Sequence, residues 1–233
     1  MDGKTSERAV VLASGGLDST VAAAVARRDG YLLTLLTIDY QQRHAVEVHC
    51  AKRVAEALGA EQHLVVKVDL RAIGGSALTD TVEVPKDRSE SERSRDVPNT
   101  YVPGRNLIFL SLAAAQAEAV GGSVIYFGAN VIDYSGYPDC RPEFIKAVEA
   151  VLRIGTKAGM TGRQIKIRAP LLQLSKVDII RLGLALSAPL HLTHSCYDPA
   201  GLLACGHCDS CLIRRRGFTE AGVVDPIQYA VSS

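Results

Sequence analysis

The sequence predicts an α/β protein: a parallel sheet, doubly wound by helices, with a cysteine-bearing C-terminal segment packed on the same domain. Two observations carry this. Apolar runs rich in β-formers alternate with runs at helical spacing up to Leu70, and the alternation resumes after residue 100. Of the 233 residues, 47% are hydrophobic, enough for one sizeable core.

Taken in order, Val10–Ala13 reads as a buried strand, and Ser19–Arg28 as a helix with Val21 and Val25 on its inner face. Tyr31–Tyr40 is a second strand. His44–Gly59 repeats apolar residues at helical spacing and stops at a terminating glycine. His63–Leu70 is a third strand, so the order β-α-β-α-β requires parallel pairing. Arg71–Thr100, with the stretch PKDRSESERSRDVPNT, is expected to be a mobile surface loop because it is charged, serine-rich and bounded by prolines. Asn106–Val120 is an alanine-rich helix and Ser123–Asn130 a strand. A polar, aromatic loop follows over Val131–Pro142, then a helix to about Ala158. Ile165–Leu171 is the last strand, and Ser175–Leu186 a short helix with Ser175 as its N-cap. Residues 1–188 form the α/β domain, and 189–233 the cysteine-bearing segment.

Lys plus Arg number 26 against 25 Asp plus Glu, a net charge of +1. Gripping a polynucleotide backbone calls for a basic excess, so stable nucleic-acid binding is not expected, although a local patch is still open. The opening MDGKTSERAV lacks the parts of a secretory signal. Apolar runs such as Tyr31–Ile38 fall short of the roughly 20 residues that a membrane helix needs. A cytoplasmic chain with no membrane partner is the expectation.

The stretch Ala13-Ser14-Gly15-Gly16-Leu17-Asp18-Ser19-Thr20 leaves the first strand and enters a helix. Such a turn gathers free backbone N–H groups and the positive helix end at one point, where an anion can sit. Gly15 and Gly16 allow close approach, and Ser14, Ser19 and Thr20 add hydroxyl donors. Asp18 is at odds with an anion unless a cation such as Mg2+ stands between carboxylate and phosphate. No lysine follows the second glycine, so this is not a Walker-type loop, and the dinucleotide spacing is missing too. A tight turn with Ser or Asp capping the helix is the plainer alternative.

Cys196, Cys205, Cys208 and Cys211 are separated by eight, two and two residues. Four thiolates in a tetrahedron describe a closed structural zinc site, one per chain, with an iron–sulfur cluster as the rival. His207 lies inside the knuckle and reads as a surface residue rather than a ligand.

The loop closely resembles the pyrophosphate-binding (PP) loop of the ATP pyrophosphatase superfamily. DYQQRH (Asp39–His44), PNTYVPGRNLIFLSLAA (Pro98–Ala114), GANVIDYSGYPDCRPEF (Gly128–Phe144), APLLQLSK (Ala169–Lys176) and the cysteine tail are similar to the 7-cyano-7-deazaguanine synthase (QueC) family. The matches run from Ser14 to Phe218, nearly the whole chain. The resemblance implies a Rossmann-like, adenine nucleotide alpha-hydrolase-like fold. It also implies a ligase that joins ammonia to 7-carboxy-7-deazaguanine at the expense of ATP, giving the nitrile preQ0 in queuosine or related deazapurine synthesis, and a homodimer.

On that resemblance, Ala13 to Thr20 and Arg105 would bind ATP, with Asp18 acting through Mg2+ and Lys176 neutralising phosphate. Gln42, Arg43, His44, Asp133, Tyr137, Asp139 and Arg141 would meet the substrate. Tyr134 or Tyr137 could stack on the deazaguanine while Asp133 or Asp139 accepts from its guanidine-like edge. Plainer readings stand beside these: Arg105 pairing a surface carboxylate, Lys176 solvated, the aspartates capping the following helix, and His44 facing solvent. Cys140 fits a small buried sulfur as well as a nucleophile. Many relatives carry a bulkier residue where this chain has His194, which leaves substrate preference open. The rivals are a PP-loop tRNA-modifying thiolase, a nucleotide-binding module without activity, and a family member redirected to protein or nucleic acid.

Overall fold

In the computed structural model, which describes residues 7–41, 46–93, 97–132 and 137–230, the chain alternates strand and helix from its first element. The order is β1 (Arg8–Leu12), α1 (Leu17–Arg28), β2 (Leu32–Asp39), α2 (Val46–Leu58), β3 (Gln62–Lys67) and a single turn, α3 (Glu90–Arg93). Then come α4 (Arg105–Val120), β4 (Val124–Tyr126), α5 (Pro142–Gly155), α6 (Lys157–Met160), β5 (Lys166–Arg168), α7 (Lys176–Ala185) and α8 (Asp209–Ala221).

All strand pairs are parallel, in the order β3-β2-β1-β4-β5, with Val10 opposite Thr34 on one side and Ile125 on the other. β1 is central and covered on both faces, which is why it reads as an unbroken apolar run rather than an alternation. Val10, Leu12, Leu36, Ile38 and Ile125 pack toward Leu110 and Ala113 of α4 and Val148 and Leu152 of α5. Ala9, Val11, Leu33, Leu35 and Val124 face Ala23 and Ala24 of α1 and Val54 and Leu58 of α2. The sheet is therefore doubly wound. Each fully buried Val, Leu or Ile in these layers contributes roughly 1.5–3 kcal/mol of hydrophobic stabilisation.

A third cluster joins Leu17 and Val21 of α1 to Ile179 and Ile180 of α7 and Phe218 of α8. Through it the C-terminal segment packs against the helix that the glycine loop feeds. Ser175 caps α7 as expected, its hydroxyl accepting from the Asp178 N–H.

Three expectations need correction. The strands expected over Ser123–Asn130 and Ile165–Leu171 shrink to three residues each. Beyond Phe127 the chain leaves the ladder, and the Asn130 amide donates instead to the carbonyls of Leu171 (2.8 Å) and Leu174 (2.6 Å). The segment expected as surface loop over 71–100 is partly core, because Ala77, Leu78 and Val84 are buried in the layer under α4. Farther along it crosses the cysteine knuckle: Lys86 bridges Cys208, the Asp87 N–H donates to the His207 carbonyl at 2.9 Å, and Arg88 pairs with Asp209. The helix expected to reach Ala158 is broken at Thr156, which caps α6 by accepting from the Gly159 N–H at 3.0 Å.

Candidate active site

β1 ends at Leu12, and the next residues turn so tightly that Gly15 adopts φ +82°. A Cβ on Gly15 would sit 2.2 Å from the Glu47 carbonyl oxygen, so only glycine fits between the loop and α2. Gly16 precedes α1 without offering a side-chain cap. Ser14 and Ser19 brace the turn: the Ser14 N–H donates to Ser19 Oγ at 3.2 Å and the Gly16 N–H to Ser14 Oγ at 3.3 Å. The Leu17 N–H is met from far along the chain, by Ser195 Oγ at 3.3 Å. The Gly15 carbonyl accepts from the His194 N–H at 2.9 Å.

This loop forms one wall of a cleft of about 230 Å³. In a sheet ordered 3-2-1-4-5 the connections part between β1 and β4, and a crevice opens beyond the carboxyl ends of those strands, the usual place for a ligand. Ala13, Ser14, Gly16, Leu17, Asp18 and Ser19 line it, with Lys176 at the start of α7. Lys176 is 7% exposed, and its Nζ donates to both carboxylate oxygens of Asp18, at 2.7 and 2.9 Å. The two elements that carry this pair, α1 and α7, meet in the third cluster. Gly217 of α8 makes room for the lysine stem, since a Cβ there would lie 2.5 Å from Lys176 Cγ.

The facing wall is aromatic and carries Arg105. Arg105, the first residue of α4, lies 5.9 Å above the Phe109 ring. Burial works against its charge, but Tyr40, Tyr137 and Asp139 around it hold its pKa above the ordinary guanidinium value. Tyr40 is pushed up to about 12 by burial, and Tyr137, which shares a 2.8 Å hydrogen bond with Thr100, is raised for the same reason. Burial also drives the Cys140 thiol up to about 12. A thiol held neutral is a poor nucleophile, which favours the reading of Cys140 as a small buried sulfur.

Among the residues expected at the site, Gly15 and Thr20 lie behind the cleft wall, and Tyr137 and Arg105 line it. Asp139 is buried beside the start of α4, where Oδ2 accepts from the Asn106 N–H at 3.3 Å. Its Oδ1 has no hydrogen-bond partner among the described residues. Arg141 is exposed at the N-terminus of α5 and is not part of the cleft wall. Gln42, Arg43, His44 and Asp133, and Tyr134 beside it, lie outside the described residues. Sequence reasoning missed Tyr40, Phe109, Phe127, Asn130, Ser195, Tyr197 and Arg214 on the cleft wall. Phe109 and Phe127 look like core residues at their spacings. Ser195 had one available signal, its place directly before the first clustered cysteine.

Cys196, Cys205, Cys208 and Cys211 are all buried, with their sulfurs within 4.8 Å of one another. Two sulfur pairs stand 4.0 Å apart, Cys205 with Cys211 and Cys196 with Cys208. A tetrahedral ion with bonds of about 2.3 Å to sulfur sets neighbouring sulfurs about 3.8 Å apart, so the set fits one such ion. Backbone N–H groups of Asp198 and Cys205 point at Cys196 Sγ, and those of His207 and Cys208 at Cys205 Sγ, the arrangement that thiolates require. His207 turns away to Asp87, its Nδ1 2.9 Å from the carboxylate.

A family model described as "Queuosine biosynthesis protein QueC" matches residues 8–222. The chain belongs to the QueC family. Curated relatives of this QueC-family chain named 7-cyano-7-deazaguanine synthase include one from Anaeromyxobacter dehalogenans (strain 2CP-C), 58% identical over 224 residues and covering 96% of each chain. Another, from Solidesulfovibrio magneticus, is 57% identical over 228 residues and covers 97% of each. Among solved structures, the NMN synthetase from Francisella tularensis superposes with a TM-score of 0.50 at 19% identity, over 98% of the QueC-family chain and 80% of its own. A 4-thiouridine synthetase in complex with RNA and bound ATP gives 0.51 at 18% identity, over 93% and 50%. At such identities the likeness establishes the fold, the adenine nucleotide alpha-hydrolase-like one expected. No helix among the described residues is long and apolar enough to cross a membrane.

Proposed function

We propose that this chain is a C–N bond-forming ligase that uses ATP and ammonia to turn 7-carboxy-7-deazaguanine into 7-cyano-7-deazaguanine. The synthase name of its relatives supports the product, and the family resemblance implies the ATP, ammonia and carboxylate that lead to it. The observation that carries the reading is the Asp18–Lys176 pair across the mouth of the glycine loop, at the sheet's switch point.

A carboxylate is a poor electrophile, and its oxygen a poor leaving group. Attack of that oxygen on the α-phosphorus of ATP expels pyrophosphate and leaves an acyl adenylate. Ammonia then adds at the acyl carbon, AMP departs with the C–O bond electrons, and a proton is released. The amide oxygen attacks a second ATP, again expelling pyrophosphate, and loss of AMP with the C–O bond electrons and of both protons from nitrogen yields the nitrile. Both rounds need the same stabilised phosphates, so one loop serves both.

The loop from Ala13 to Thr20 holds the phosphates through backbone N–H groups and the hydroxyls of Ser14 and Ser19. Lys176 would leave Asp18 for a phosphate oxygen, and the freed Asp18 carboxylate would be the residue to hold Mg2+, which would supply positive charge for the phosphates. Arg105 offers two-point contact to a phosphate or to the substrate carboxylate. Tyr137 lies on the aromatic wall against which a planar deazapurine fits. Asp139 and Arg141, with Gln42, Arg43, His44 and Asp133, stay on the substrate side on sequence grounds alone. The four cysteines hold zinc. A homodimer rests on the family resemblance alone.

The test is product analysis after incubating the protein with 7-carboxy-7-deazaguanine, ammonium, magnesium and ATP. The expected result is the nitrile with two AMP released for each one formed. Absence of nitrile from folded, metal-replete protein would remove the reading.

A further inference from the structure

α1 begins on a glycine and so has no cap of its own, yet its first N–H is satisfied. The acceptor is Ser195 Oγ, 178 residues away in sequence and directly before Cys196. One residue earlier, the His194 N–H donates to the Gly15 carbonyl at 2.9 Å. The peptide units from Gly15 to Leu17 are thus held from outside at both a carbonyl and an N–H.

The holding segment is itself fixed at both ends. Cys196 belongs to the four-sulfur cluster. Thr193 Oγ1 accepts from Arg214 of α8 at 2.8 Å, and Arg214, 2% exposed, is locked by two hydrogen bonds to Asp225 at 2.9 and 3.0 Å. A hydroxyl that accepts from the Leu17 N–H keeps its own proton to donate, and Ser195 lines the cleft beside Gly16 and Asp18.

We propose that Ser195 is a positioning residue for the nucleotide: it caps α1 from the cysteine segment and sets the angle of the phosphate-binding loop. The inference rests on the reading of residues 13–20 as a phosphate loop. A hydrogen bond is worth more where an anion gathers on the same donors than between neutral groups. Losing the hydroxyl therefore weakens nucleotide binding about tenfold, which is about 1.4 kcal/mol.

The experiment is calorimetric titration of a non-hydrolysable ATP analogue, with magnesium, into the metal-loaded wild type and the variants Ser195→Ala and Ser195→Thr. Bound metal and melting temperature are measured on the same samples. Ser195→Ala is expected to bind the analogue about tenfold more weakly with its metal content and melting temperature kept, and Ser195→Thr, which keeps the hydroxyl, to recover most of the affinity. In turnover, KM for ATP rises while KM for the deazaguanine substrate holds. Equal affinity for Ser195→Ala and wild type would overturn the proposal. So would a loss of affinity that merely follows lost metal or a lowered melting temperature, since Ser195 would then be structural. A wild type that binds no analogue fails the phosphate-loop reading itself, a result distinct from either.

Discussion

Lys176 and Asp18 hold each other with most of their surface out of water, so each answers for the other's charge. Lys176→Met keeps the apolar stem against Gly217 and deletes only the charge. Asp18 retains a fifth of its side-chain surface for water, so the variant should fold. Its kcat/KM for ATP should fall roughly 100-fold, the usual cost of removing one preorganised charge partner from a transition state; steady-state kinetics across ATP concentrations checks this. Asp139 makes a pH prediction. Burial outweighs Arg105 and Asn106 and raises its carboxyl above 3.8, so the folded state binds this proton more tightly than the unfolded chain does. That contribution to stability is complete below 3.8 and fades as pH climbs through the raised value. Asp139→Asn carries an uncharged amide throughout, so its stability relative to wild type should rise as pH climbs above 3.8 in paired urea titrations. A flat or falling difference contradicts it. At this scale the sequence was legible where chemistry and spacing coincide, as in Ser14 to Ser19, Lys176 and the four cysteines. Tyr40 and Phe109 were not, because an aromatic in an apolar run looks the same whether it faces a core or a cleft.

The helices differ in how openly they announce themselves. α1, α2 and α7 have apolar repeats or caps that set their limits to within two residues of those observed. α8 does not: DSCLIRRRGFTEA is polar, with three adjacent arginines and an interior glycine, and no amphipathic stripe survives. Its stability comes from contacts made after folding, namely the cysteines at its start, Arg214 on Asp225 and Phe218 in the third cluster. The interior glycine costs helix propensity of about 1 kcal/mol and is kept for the space that Lys176 needs. Gly217→Ala sets these effects against each other. The gain in propensity should be overtaken by overpacking of roughly 1–3 kcal/mol, because the nearest atoms are the root of the lysine side chain rather than its tip. Activity should drop further than stability, since the displaced stem carries Nζ away from Asp18; comparing denaturant midpoints with turnover separates the two. The shortness of β4 and β5 escaped sequence reading because Asn130 and the residues after Arg168 are apolar-flanked in both states, and only their tertiary partners end the pairing.

For the molecule as a whole, parallel pairing follows from the order of elements and was readable, whereas the central placement of β1 was not, because that order leaves the sequence of strands across the sheet open. The crossing of the 71–100 segment over the knuckle was not, for it depends on ion pairs such as Arg88 with Asp209 and Lys86 with Asp198 that no local pattern encodes. Elemental analysis should find one zinc per chain, and iron in its place would overturn the zinc assignment. Stripping the metal with a chelator should lower the melting temperature and loosen α8 before the sheet, as a protease would report by cutting first near residues 197–209. The two halves of the loop's support, residues 14–19 and 193–196, come from opposite ends of the sequence. The glycine-loop wall of the cleft is therefore complete only once residues 193–211 have been added to the chain, so a polypeptide that ends before them lacks part of the site proposed for the nucleotide.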